Sequence, residues 1–140
     1  MKKFILSAAM LAASAAHAHV SLEQRSAPAG TYQKLTFRVG HGCNGSATQS
    51  ITIQLPEGFA GLKPMPKQGW QIERGAATLT WRGGPLPDDY YEEFVAFGKL
   101  PAQPASHVFK ITQACVVGSM NWETTLDTVP AAPAPAAHQH

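Results

Sequence analysis

Charge of either sign is scarce in this chain. Asp, Glu, Lys and Arg make up 14% of its 140 residues, with 11 basic against 9 acidic. Lys2 and Lys3 account for the whole surplus, so the remainder is formally neutral. The other basic residues are scattered along the sequence. That points away from nucleic acid, and away from an anionic membrane surface, as partners. Long apolar runs are lacking too. The one from Phe4 to Ala16 is short and Ala-rich, so there is no clear membrane anchor. No stretch beyond it keeps a helical period. There is no glycine-rich phosphate loop ahead of a helix and no serine in a nucleophile elbow. Met65 and Met120 stand apart, so the Met-rich cluster of a Cu(I) carrier is missing. Asp88-Asp89 and Glu92-Glu93 are read as solvated, because neighbours along a strand point to opposite faces or sit in a turn.

Cysteine is also rare. Cys43 and Cys115 are the two present, and in an exported chain their default state is one disulfide. The loop it closes is long, which is worth roughly 4 kcal/mol on the chain-entropy account. The rival reading is a pair of free thiols that bind copper.

What is present begins at the N-terminus. Lys2-Lys3, the apolar run and Ala16-His17-Ala18 form a secretory signal peptide over residues 1–18. Cleavage after Ala18 delivers the protein to the periplasm with His19 first. An N-terminal histidine offers a metal two nitrogens, the α-amine and the ring Nδ1, in one chelate ring. The amine's pKa is about 7.7–8, so metal must displace a proton and affinity falls in acid. Nitrogen donors of this kind favour Cu(II) among first-row divalent ions.

The region from 19 to 128 reads as β throughout. Leu35, Phe37 and Val39 alternate with Thr36 and Arg38; Ile51, Ile53 and Leu55 alternate with Thr52 and Gln54. Further strands are expected at 19–24, 70–74, 78–82, 92–99, 107–113 and 120–125. Turns are expected at 28–30, 42–46, 56–58, 82–85, 100–101 and 117–118. Residues 59–67 hold Pro64 and Pro66 and are read as a loop. About eight short strands imply an all-β, antiparallel sandwich. Residues 129–140 form a Pro/Ala tail with His138 and His140, expected to be extended and to capture copper weakly.

Two further residues bear on a metal at His19. His41 ends the second strand; if strands 19–24 and 31–40 pair, it approaches His19. Trp122 lies in an edge-like segment near the chain's end, where an indole could shield an ion. His107 starts a strand and is read as structural.

The order and spacing of several motifs then resemble a known family. They are Ala18-His19-Val20-Ser21-Leu22-Glu23, Phe37-Arg38-Val39-Gly40-His41-Gly42-Cys43 and Leu55-Pro56-Glu57-Gly58. They continue with Lys63-Pro64-Met65-Pro66-Lys67-Gln68-Gly69-Trp70, Trp81-Arg82-Gly83-Gly84-Pro85-Leu86-Pro87, Glu93-Phe94-Val95 and Gln113-Ala114-Cys115, leading to Trp122. Across residues 19–126 the chain resembles the YcnI family of exported copper-binding domains, in its proteobacterial form. The resemblance implies a cupredoxin-like or immunoglobulin-like β-sandwich. It implies Cu(II) held by the processed N-terminal histidine in a one-histidine brace, with a tryptophan beside the metal. His19 and Trp122 take those positions. Some members complete the site with an acidic residue near the loop where this chain has His41-Gly42, and His41 stands as the substitute. The implied role is copper trafficking or homeostasis, with another envelope copper chaperone or transporter as partner.

The expected function is therefore a periplasmic Cu(II)-binding protein and not an enzyme. Three rivals stand beside it. A blue-copper electron carrier needs a thiolate and two histidines at one site. A copper monooxygenase would use a two-histidine brace of His19 and His41. A protein–protein adaptor would bind metal only incidentally.

Overall fold

The computed structural model describes residues 19–133. The leader at 1–18, and His138 and His140 of the tail, lie outside the described residues.

The described residues form ten strands: β1 (Ser21–Leu22), β2 (Ser26–Pro28), β3 (Tyr32–Val39), β4 (Thr48–Gln54), β5 (Lys63–Pro64), β6 (Trp70–Arg74), β7 (Thr78–Leu86), β8 (Glu92–Lys99), β9 (Ala105–Cys115) and β10 (Ser119–Val129). A four-stranded sheet runs β1-β3-β8-β5, and a six-stranded sheet runs β2-β10-β9-β4-β7-β6. The fold is an all-β sandwich, as the period-two patterning implies. Its inner faces carry the alternating residues: Leu35, Phe37 and Val39 from one sheet, Ile51, Ile53, Phe109 and Ile111 from the other, all buried. Phe37 meets Phe109 edge-on at 5.6 Å between ring centroids, and Phe59 meets Phe109 at 5.0 Å. Trp81 is fully buried and its indole N–H donates to the Met65 carbonyl at 3.1 Å.

Four details depart from the sequence reading. First, ten strands replace about eight, because β2 and β5 are too short to show a period. β5 includes Pro64, which is tolerated because β5 lies at a sheet edge. Second, β2 pairs with β10 in parallel, so the sandwich is mixed, not wholly antiparallel. Third, the strand expected at 19–24 shrinks to Ser21–Leu22. It does pair antiparallel with β3, Ser21 opposite Arg38, but the chain visits the other sheet as β2 in between. Fourth, Gly83-Gly84-Pro85 lies within β7 and is not a turn. Trp70 stands opposite Gly83 in the register, and a Cβ on Gly84 would come within 2.8 Å of the Trp70 ring. Gly84 leaves room for that indole, and Gly83 for the close approach of the Gly69–Trp70 backbone.

The disulfide forms. Cys43 and Cys115 are bonded across a sequence separation of 72, so the free-thiol reading is set aside.

Candidate metal centre

The site is assembled at one end of the sandwich, where β1 begins, β3 ends and β10 begins. Residues 119–126 of β10 have β9 on one side, and β2 joins the other side only at 127–129. Trp122 therefore lies on an edge stretch. The Leu22 amide donates to the Thr124 hydroxyl at 3.1 Å, which ties β1 to β10 across the two sheets. That tether brings His19 against Trp122. Their ring centroids are 4.6 Å apart at an interplanar angle of 75°.

His41 reaches the same indole from the end of β3. Its ring centroid lies 6.2 Å from that of Trp122, at 77°. The loop behind it is fixed locally. Asn44 and Gly45 both have positive φ, 48° and 85°, and Cys43 and Ser46 exchange two backbone hydrogen bonds, as a type I′ turn requires. Gly42 has no room for a side chain: a Cβ there would meet the Ser46 carbonyl oxygen at 1.9 Å. Its amide donates to Asp88 Oδ1 at 2.9 Å. His41 Nδ1 is hydrogen bonded to the Gly42 carbonyl, which can only accept. Donation to that carbonyl assigns the Nδ1–H tautomer to a neutral ring, in which Nε2 would offer its lone pair to a metal.

Gln113 is the residue the sequence reading did not assign. It is fully buried on the inner face of β9. Its Nε2 donates to the His41 carbonyl at 2.7 Å and to the Thr48 hydroxyl at 2.8 Å, while its Oε1 accepts from Trp122 Nε1 at 2.9 Å. One amide thus fixes both the indole and the His41 backbone. A register shift in β4 between Thr48 and Ser50 turns Thr48 inward to meet it. The signal was in the sequence. Gln113 continues the core parity of Phe109 and Ile111, and a polar group at a core position must find partners. The disulfide joins the residues two beyond each of His41 and Gln113. The Val116 amide donates to the Ala47 carbonyl and the Val117 amide to the Ser46 hydroxyl, both at 2.9 Å, closing the two loops together.

A groove of about 670 Å³ opens beside His19, lined by Arg25, Arg38, Tyr91, Glu123 and Thr125 among others. Partial desolvation, then the hydrogen bond to Glu93 and that carboxylate's charge, raise the Tyr91 phenol above its usual range. Two carboxylates read as solvated are not. Asp88 is half-buried on the Gly42 amide. Glu92 pairs with Lys67 at 2.7 Å. Burial opposes Glu92's ionisation, but the Lys67 hydrogen bond, the Glu93 amide and the Lys67 charge together hold its pKa low. His107 is structural: it packs on Phe59 at 4.9 Å and bonds the Thr128 hydroxyl, and burial lowers its pKa against the pull of Asp127.

Among the described residues no three His, Cys, Asp or Glu side chains gather as a metal cage. The donors brought together are two imidazoles on one indole.

The family model for a domain of unknown function, DUF1775, matches residues 19–80 and 71–138. The chain belongs to this family. No curated protein matches it. Among solved structures it is similar to an uncharacterized Nocardia farcinica protein with an immunoglobulin-like fold. The two share 25% identity over 87% of this chain and 90% of that one, with a TM-score of 0.61. It is also similar to the sixth cohesin of scaffoldin B from Acetivibrio cellulolyticus, with a TM-score of 0.53 at 11% identity, covering 79% of this chain and 98% of the other. That second likeness speaks to fold alone. The DUF1775 chain is thus an immunoglobulin-like β-sandwich with a histidine–tryptophan constellation at one end.

Proposed function

We propose that this DUF1775 protein binds Cu(II) in the periplasm and serves copper trafficking, not catalysis, in the manner of the YcnI family. The observation that carries the reading is the convergence of His19, just before β1, and His41, just after β3, upon a single indole, Trp122. The donor set fits Cu(II): imidazole nitrogens suit it, and the His19 α-amine adds a second nitrogen once residues 1–18 are removed. The family match begins at residue 19, in keeping with processing there. Copper is the cargo. His19 would hold it through two nitrogens, His41 Nε2 would supply a further donor, and Trp122 would shield the ion and limit its open positions.

The deciding experiment compares Cu(II) affinity of the processed protein with a version carrying one extra alanine before His19. The insertion displaces the amine but keeps the imidazole. A large loss of affinity is expected, and equal binding by both would refute the brace.

A further inference from the structure

The outer face of the four-stranded sheet carries a patch that the copper site does not use. Lys63, Phe97 and Lys34 stand in one row across β5, β8 and β3, and Tyr32 and Lys99 form the next. Residues directly opposite in a sheet share a face. All five are exposed, with Tyr32 66% and Phe97 48% accessible. The two rings stack on each other, centroids 5.8 Å apart and planes 19° from parallel. Met65, also exposed, extends the apolar strip where its amide pairs with the Val95 carbonyl. Among the described residues the ion pairs are Lys67–Glu92 and Arg82–Glu73, so none of Lys34, Lys63 and Lys99 has a carboxylate partner. The carboxylates on this face stand further along it: Glu23 one row beyond, where its amide bonds the Thr36 carbonyl, and Glu93 in the row after, opposite Arg38.

We infer that this face docks on an anionic phospholipid surface. The chemistry selects the occupant. Stacked aromatics with one polar tip, flanked by lysines with long apolar stems, match a bilayer interface, where rings sit at headgroup depth and ammonium groups reach the phosphates. All three cations are lysine. Protein interfaces are depleted in lysine and favour arginine for its planar fork, so an acidic protein is the weaker fit. The basic residues are scattered in sequence, and only the pairing of β3, β5 and β8 gathers these three. The His19 end lies about six residues further along β3, roughly 20 Å away, so a docked protein keeps its metal site open. The inference does not rest on the copper reading.

The test is co-sedimentation of the exported protein, confirmed by mass to lack residues 1–18. It is run with phosphatidylcholine vesicles containing phosphatidylglycerol and with phosphatidylcholine vesicles alone. Binding to the anionic vesicles only, weakened at high salt, is expected. Each of Lys34→Gln, Lys63→Gln and Lys99→Gln should lower the partition coefficient about fivefold. Tyr32→Ser with Phe97→Ser should lower it further. Lys110→Gln, on the other sheet, should leave it unchanged. These surface changes spare the core, and an unchanged thermal melt confirms that each variant is folded. Absence of vesicle binding, equal loss with Lys110→Gln, or capture by polyglutamate without vesicle binding would each overturn the inference; the last would assign the face to an acidic protein.

Discussion

Replacing Gln113 with leucine isolates the one polar group that joins the two halves of the site. Leucine fills a similar volume, so no large cavity opens. What is lost is three hydrogen bonds, at 2.7, 2.8 and 2.9 Å. An unsatisfied buried polar group costs about 1–3 kcal/mol. Thr48 is fully buried and loses its donor outright. The Trp122 N–H and His41 carbonyl belong to half-buried residues and can recover water in part. The expected loss for Gln113→Leu is therefore about 2–4 kcal/mol, below the sum of three full penalties. For a domain of this size that lowers Tm by roughly 10 °C. Urea denaturation of the metal-free protein measures it. Cu(II) titration followed by tryptophan emission reads the site, and affinity should fall because the indole and the His41 segment are no longer fixed. Gln113→Glu keeps the acceptor for Trp122 but sets a carboxylate oxygen against the His41 carbonyl, and should be worse than leucine. A Gln113→Leu protein within 0.5 kcal/mol of wild type (about the error of such a measurement) would refute the energetic argument. One that is destabilised yet binds copper with unchanged affinity would reduce Gln113 to a purely structural role.

Other outcomes follow from the same geometry. Cys43→Ser with Cys115→Ser should cost about 2–5 kcal/mol in denaturation without reductant, and should weaken copper binding because the two loops behind His41 and Gln113 are no longer stapled. Trp122→Phe should remove most of the copper-induced quenching of tryptophan emission, since Trp70 and Trp81 pack instead on Phe94, at 4.9 and 5.5 Å; quenching that persists would place the ion elsewhere. His107 has a lowered folded pKa, so the unfolded chain binds its proton more readily. Its contribution is full above the usual histidine range and is lost as pH falls through the folded value. His107→Gln should flatten that part of the stability–pH curve. Glu92, also lowered, contributes above the unfolded carboxyl range and loses this as pH falls through its folded pKa. Lys67→Met should shift the acid limb, read by thermal melts across pH.

Much of the frame was legible in the chain. Period-two alternation at Leu35–Val39 and Ile51–Leu55 marks half-buried strands, because side chains on a strand alternate faces whatever the strand packs against. The bounds of β6 and β8 agree residue for residue. The turn at 42–46 was readable from Asn44-Gly45, whose backbone preference is local. β2 and β5 were not readable. Two- and three-residue strands have no period, and they exist only because a neighbouring strand offers them hydrogen bonds.

The candidate site divides along the same line. The sequence alone picked out the candidate residues: a histidine after an A-x-A motif, a second histidine two residues before a cysteine, and a tryptophan in an edge-like segment near the chain's end. These are properties of residue type and local order. Only the tertiary structure decided that they meet. The Leu22–Thr124 tether, the fully buried Gln113 and the gathering of Lys34, Lys63 and Lys99 around Tyr32 and Phe97 all join residues far apart in the chain. Contacts of that kind are set by strand register and sheet order, which the pairing of whole strands fixes and no local window of sequence contains.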